Sequence, residues 1–367
     1  MKRRTLSGDE RRDWLRLSRT PNVGLITFFQ LIERFETAAC ALEALPDLAK
    51  KSGANRNLQP PPRAEIDREI EAAEKAGARF IAACEPDFSP ALAHGDAPPP
   101  LIALRGHARF LHQPAIALVG ARNASAVGRR MAKDLARDLG AAGYTIVSGL
   151  ARGVDGECHA ASLDTGTIAV LAGGVDQVYP PEHRDLYEAV SQRGAVVSEA
   201  PMRYVAQARD FPKRNRIIAG LSIATIVVEA AERSGSLITA RCALEQNREV
   251  MAVPGSPLDP RAAGSNRLIK QGAALIENAD DVLNALRGIS QPVFEEPGPD
   301  DFDARPAQTP PALIKAVRQA LSPTPLHIDE IVRTLDVPHR LALAAIAELE
   351  LAGEAITHVG GLVSRAV

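Results

Sequence analysis

The chain has 367 residues, a formal net charge of −2 and an apolar fraction of 46%. That length exceeds one ordinary domain and the composition can bury a sizeable core. The near-neutral balance excludes a globally basic protein that coats nucleic acid, so any polyanion site must be local. The four cysteines (Cys40, Cys84, Cys158 and Cys242) are far apart and form no CxxC, which points away from a zinc site or a disulfide framework. The N-terminal stretch MKRRTLSGDERRDW is basic but has no apolar segment behind it, so it does not read as a secretory signal. No run approaches the ~18–20 apolar residues of a membrane span. The expectation is a soluble protein of a reducing cytoplasm.

In chain order, residues 7–51 read as helices of mixed polarity. A Pro21-Asn22-Val23-Gly24 turn there resembles half of a helix-hairpin-helix unit. Such a turn either touches a DNA backbone or closes a small helical domain packed on its neighbour. Residues 52–63, SGANRNLQPPPR, form a linker by composition, and 64–77 a charged amphipathic helix. Strands follow at 79–84 and in LIALRG. From residue 115 the pattern becomes regular. Strands at 115–120, 145–148, 167–172, 195–199, 223–229 and 249–253 alternate with helices at 127–142, 153–165, 181–192, 213–221 and 236–246. Short, continuously apolar strands between amphipathic helices specify a mainly parallel sheet covered on both faces. This is a doubly wound, Rossmann-like α/β core whose ligands sit at the carboxyl ends of the strands.

Residues 288–311 form an acidic, proline-rich linker, expected to be extended. Three short helices at 312–321, 327–334 and 339–352 and a hairpin around Gly360-Gly361 then give winged-helix order. The domains are thus 1–75 (helical, with linker), 76–287 (Rossmann-like), 288–311 (linker) and 312–367 (winged helix). The last carries five Lys/Arg against six Asp/Glu. A major-groove reader should be basic, so this module reads as a protein-contact surface; a double-strand DNA regulator is the weaker reading.

The loops at the strand ends carry the chemistry. Gly120-Ala121-Arg122-Asn123-Ala124-Ser125, followed by Gly128, is neither GxGxxG nor a P-loop, so no dinucleotide cofactor is indicated. A glycine turn before a helix still offers backbone N–H groups to an anion, and Arg122 adds a bidentate phosphate donor. Ser148-Gly149-Leu150-Ala151-Arg152-Gly153 adds two glycines and Arg152. Asp155 and His159 follow at i,i+4, as either a general acid/base couple or a structural pair. Gly173-Gly174 brings backbone near a ligand, and Tyr179 either stacks or packs. Glu229 ends a strand before Ser234-Gly235-Ser236, another anion-binding arrangement. Gly120, Ser125, Gly173, Gly174, Gly235 and Ser236 are therefore candidate anion-loop residues.

Residues 203–216 contain Arg203, Arg209, Lys213, Arg214 and Arg216 against Asp210 alone, a local balance of +4. With Phe211 beside them, and Pro212 in the first turn of a helix, the cluster suits a polyanion that also offers flat bases. The competing reading has Arg214 and Arg216 in structural salt bridges and Phe211 in the core. No nucleophile–base–orienter set and no metal cluster is apparent, which favours a binding protein.

These motifs resemble the DNA-processing protein A (DprA/Smf) family. The matching segments are VGARNASAVG at 119–128, SGLARGVDGECHAASL at 148–163, LAGGVDQVYPPEH at 171–183 and VSEAP at 197–201. FPKRNRIIAGLS at 211–222, VVEAAERSGSLITA at 227–240, VPGSP at 253–257 and GSNRLIKQGA at 264–273 complete the series. Val127 and His183 depart from the family's usual aromatic and Asn. The resemblance implies a non-catalytic protein whose extended Rossmann-like domain binds single-stranded DNA and dimerises, and which loads a RecA-type recombinase in natural transformation. By motif it implies strand contacts at Arg122, Ser148, Gly149, Arg152, Phe211, Lys213, Arg214, Asn215 and Arg216. The alternative is a nucleotide-cleaving enzyme using Asp155, His159 and Glu229, although SGSLITA lacks the PGG start and the Glu of the phosphoribohydrolase loop.

Overall fold

The computed structural model describes residues 3–51, 58–95, 98–290, 310–352, 354–358 and 362–366. The chain divides into two compact units, Met1–Gln291 and Pro292–Val367. The linker expected at 288–311 lies mostly outside the described residues, as does part of that expected at 52–63.

The first unit opens with four helices, α1 (Gly8–Ser18), α2 (Leu25–Phe35), α3 (Ala38–Lys51) and α4 (Arg63–Lys75). Ser7 caps α1 in a reciprocal capping box with Glu10. Trp14 meets Phe28 edge-to-face at 5.1 Å, among the buried Leu15, Leu17 and Leu45. This bundle is tied to the sheet that follows through Glu85. Its buried carboxylate accepts from the Leu6 and Ala82 N–H groups and pairs with Arg11.

The sheet contains β1 (Ala78–Ala82), β2 (Leu101–Gly106), β3 (Ala115–Val119), β4 (Thr145–Ser148), β5 (Thr167–Leu171), β6 (Ala195–Ser198), β7 (Ala224–Val227), β8 (Glu249–Ala252) and β9 (Ala274–Leu275). Their order is β1-β2-β6-β5-β4-β3-β7-β8-β9, and the one-turn helix α5 (Pro90–Ala93) falls between β1 and β2 in the chain. β1–β2 and β2–β6 pair antiparallel; from β6 to β9 all pairings are parallel. The expected parallel core is therefore present, with an antiparallel pair added at one edge and the short β9 at the other. Nothing in the sequence reading anticipates β9 or the helices after β8.

Period-two alternation sorts β3 between two cores. Ile116 and Leu118 pack with Leu135 and Leu139 of α6 (Ala126–Ala141), beside α7 (Val154–Ala161). Ala117 and Val119 belong to the core that holds Ile217, Ile218 and Leu221 of α9 (Asp210–Leu221). α8 (Arg184–Arg193) continues the α6–α7 layer; α10 (Ser236–Glu245) packs beside α9, and α11 (Ala263–Lys270) on β8. α12 (Ala279–Ser290) returns to α6. Strand order reverses between β3 and β7, so the topological switch point lies there.

The second unit contains α13 (Pro311–Ala320), β10 (Leu326–His327), α14 (Ile328–Leu335), α15 (His339–Leu351), β11 (Ala355–His358) and β12 (Leu362–Arg365). β12 lies between β10 and β11, so the expected hairpin gains a third strand. Val317, Ile331, Ile346 and Val363 form its core.

Glu85→Ala removes the carboxylate partner of Arg11, which keeps only the Leu6 carbonyl, and the acceptor of two N–H groups. A loss of about 2–4 kcal/mol in folding stability is expected. It should appear as a lower chemical-denaturation midpoint; an unchanged midpoint would show that the bundle docks without this carboxylate.

Candidate nucleic-acid interface

A cleft of about 860 Å³ opens at the carboxyl ends of the strands, at the switch point. Its walls are Gly120–Asn123 after β3, Ala151 and Asp155 after β4, Tyr179 after β5, the first turns of α9, and the loop from Ala231 to Thr239 after β7. Arg261 also lines it. The loops that the sequence reading brings to one edge do converge there.

Their glycines answer to protein atoms. A Cβ on Gly149 would come within 2.0 Å of Nη1 of Arg214. Gly153 has φ +73°, and a Cβ there would meet the Ala121 carbonyl at 2.3 Å. Gly120 faces Val154, while Gly173 and Gly174 face the backbone of the 201–204 segment, with the Gly174 N–H donating to the Tyr204 carbonyl. At Gly120, Gly149, Gly173 and Gly174 the missing Cβ makes room for neighbouring protein atoms, while Gly120 still lines the cleft and Gly149 and Gly173 a smaller pocket beside it. Gly235, before α10, is open.

The anion seat expected at the start of α6 is already filled. Glu229 is buried, and its carboxylate accepts from both the N–H (3.0 Å) and Oγ (2.5 Å) of Ser125. The Ser125 hydroxyl also accepts from the Gly128 N–H as the helix N-cap. Ser125 is corrected from anion receptor to holder of an internal carboxylate. Ser236 is buried at the start of α10, its hydroxyl 2.7 Å from that of Ser234.

Behind the cleft lies Arg214, buried on the inner face of α9. Its Nη1 donates to the Val170 carbonyl, and among the described residues its buried Nε has no hydrogen-bond partner. Burial pushes this guanidinium down to about 10, against the pull of Asp155, so it stays cationic at neutral pH. Burial likewise pushes the Asp155 carboxyl up, opposed by Arg214 and by the amides it accepts from, Gly149 (3.1 Å) and Ala151 (3.3 Å). His159 accepts from the Leu150 N–H at Nε2, and its Nδ1 is 2.7 Å from Thr167 Oγ1. Burial lowers it from 6.5 to about 3. Asp155 and His159 each brace the loop after β4; their hydrogen bonds go to that loop and to β5.

The mouth of the cleft is aromatic and basic. Phe211 is half-buried, contrary to the core placement of the competing reading, and Tyr179 is 51% exposed. Their rings meet edge-on at 5.8 Å. The exposed Arg122 guanidinium sits 4.9 Å above the Phe211 ring, and that of Arg214 is 5.9 Å from it. Lys213 is exposed, its ammonium 3.8 Å from Asp210, and it lines an adjoining cavity of about 270 Å³ with Arg214.

The remaining expected strand contacts are engaged elsewhere. Ser148 is buried and donates to the Leu118 carbonyl at 2.6 Å. Asn215 is buried in the cleft floor and donates to the Gly235 carbonyl at 3.2 Å. Arg216 pairs with Glu199 and does not line the cleft, and the exposed Arg152 pairs with Glu182. Helix phase explains the division: 214, 215, 217 and 218 point inward and 212 and 213 outward, which a run of basic residues does not disclose. The motif reading passed over Arg233 and Arg261, both exposed on the cleft wall. The signal for Arg233 was its position immediately before Ser234-Gly235-Ser236.

Because His159 is neutral in the fold and titrates ordinarily once unfolded, the native state binds fewer protons between about pH 3 and 6.5. Its contribution is complete above 6.5 and is lost as pH falls through that window. His159→Gln should be less stable at neutral pH yet lose stability less steeply on acidification, read from urea midpoints across the window. An unaltered slope would mean the imidazole is not held neutral.

The family profile described as DNA recombination-mediator protein A matches residues 79–287. Two companion profiles, a DprA-like N-terminal HHH domain and a DprA winged helix domain, match 8–72 and 303–361. Protein Smf of Escherichia coli is 37% identical over 310 residues, 82% of this chain and 81% of its own. The X-ray structure of DNA processing protein A from Streptococcus pneumoniae superposes with a TM-score of 0.65 at 32% identity, covering 77% of this chain and 98% of that one. A Helicobacter pylori DNA processing protein A structure, described for its single-stranded DNA binding mode, gives 0.53 at 26% identity, covering 58% of this chain and 96% of that one. With its cleft motifs, its three regions and its sequence all matching in the same order, the chain belongs to the DNA recombination-mediator protein A (DprA/Smf) family.

Proposed function

We propose that this protein binds single-stranded DNA across the switch-point cleft, without catalysis, and passes it to a RecA-type recombinase during uptake and recombination of incoming DNA. The observation that carries this reading is the cleft mouth, where Phe211 lies under the Arg122 guanidinium and meets the Tyr179 ring edge-on. Rings of this kind stack bases without regard to sequence, and exposed cations beside them track phosphates. The single-stranded DNA binding described for the Helicobacter pylori relative supports it. Asp155, His159 and Glu229, the residues a nucleotide-cleaving enzyme would use, are each held in internal hydrogen bonds, which favours binding over turnover. No described helix is long and apolar enough to cross a membrane, and a cytoplasmic site of action is part of the same reading. The near-neutral winged helix suits contact with protein.

The working unit we infer is a homodimer formed through the Rossmann-like domain at the β9 edge. Both β9 residues are exposed, Leu275 to 47%, and an open sheet edge with an apolar side chain favours pairing with a second copy. Leu275→Asp should halve the mass seen by light scattering; an unchanged mass places the interface elsewhere.

The test of the DNA reading is fluorescence anisotropy of a labelled oligo-dT and a matched duplex at two salt concentrations. The wild type should prefer the single strand and weaken steeply with salt. Arg122→Ala and Lys213→Ala should each flatten the log–log salt slope by about 0.7, and Phe211→Ala should cost roughly 1–3 kcal/mol. Affinity that ignores strandedness and all three substitutions would refute the interface.

A further inference from the structure

We infer that Arg233 is a second phosphate clamp, facing Arg122 across the switch-point crevice; the inference rests on the single-strand reading above. β3 and β7 are adjacent, with Val119 opposite Val227, so the loops that follow them emerge side by side. Each loop places an exposed arginine on the wall of the same cleft. The other cleft arginines are committed: Arg214 is buried and donates to the Val170 carbonyl, and Arg261 holds both carboxylate oxygens of Asp259. Arg122 rests on the Phe211 ring. Among the described residues, Arg233 makes no ion pair and no side-chain hydrogen bond.

The Arg233 loop is itself well anchored. The Ser234 N–H donates to the Ala231 carbonyl, the Leu237 N–H to the Ser234 carbonyl, and the Ser234 and Ser236 hydroxyls meet at 2.7 Å. An unpartnered guanidinium on an ordered loop at a cleft wall matches the planar oxygens of a phosphodiester. With Arg122 on the facing loop, two phosphates of one strand are gripped on either side of the crevice, while the bases reach the Phe211–Tyr179 end.

The test uses the full chain, a labelled oligo-dT and an abasic strand of equal length. Arg233→Ala should weaken both by about tenfold at low salt and flatten the salt slope by about 0.7. Arg233→Lys should restore the slope and part of the affinity. The loss on Phe211→Ala, by contrast, should vanish on the abasic strand. Full affinity and slope in Arg233→Ala, with Arg122→Ala still impaired, would overturn the clamp and leave the single-strand site standing. Insensitivity to both arginines would remove the site itself. A melting temperature equal to wild type checks that the Arg233 variants are folded.

Discussion

The carboxyl edge of this sheet depends on one buried cation. Arg214 reaches from α9 under the β4 and β5 loops, where a lone guanidinium would cost several kcal/mol. Asp155 supplies an opposite charge that favours the cation, and its carboxylate in turn collects the Gly149 and Ala151 amides. Residue 149 must be glycine because the guanidinium lies against its Cα. The same side chain lines both the main cleft and its neighbour and lies near the Phe211 ring. Packing around one internal cation thereby shapes the wall shared by the cleft and its neighbour.

A second internal pairing decides how that outside charge is met. A helix N-terminus behind a glycine turn is an anion seat by default, and α6 has one. Glu229 takes it through Ser125. The exposed cations nearby are side chains: Arg122 on its ring and Arg233 on the cleft wall, with Lys213 in the first turn of α9 beside the adjoining cavity. Side-chain cations are mobile and solvated, which suits a strand bound by backbone charge and stacked bases.

The two orders of organisation differ in what they ask of sequence. The parallel core, the helix that carries the basic cluster and the winged-helix order were legible, because periodicity and turn residues are local and the strands are buried on both faces. β9, the strand β10 and the antiparallel pairing of β2 with β6 were not, because short edge strands owe their existence to neighbours supplied by distant parts of the chain. The residue types of the cleft were legible too, through Arg122, Phe211 and the glycine loops.

What the sequence by itself determined is the family, the layer architecture and the inventory of cations, rings and glycines at one sheet edge. Those follow from local pattern and motif order. Only the tertiary structure decided which cations face the cleft and which face inward. Arg214 and Arg216 read alike in the basic run, yet one is buried behind the cleft and the other is paired with Glu199. The glycines read as ligand seats, and the fold adds that the absence of a Cβ at them also makes room for Arg214, Val154 and the segment after β6. The physical reason is the same in each case: a side chain's role is fixed by the partner across the packing interface, and that partner lies tens of residues away in the chain.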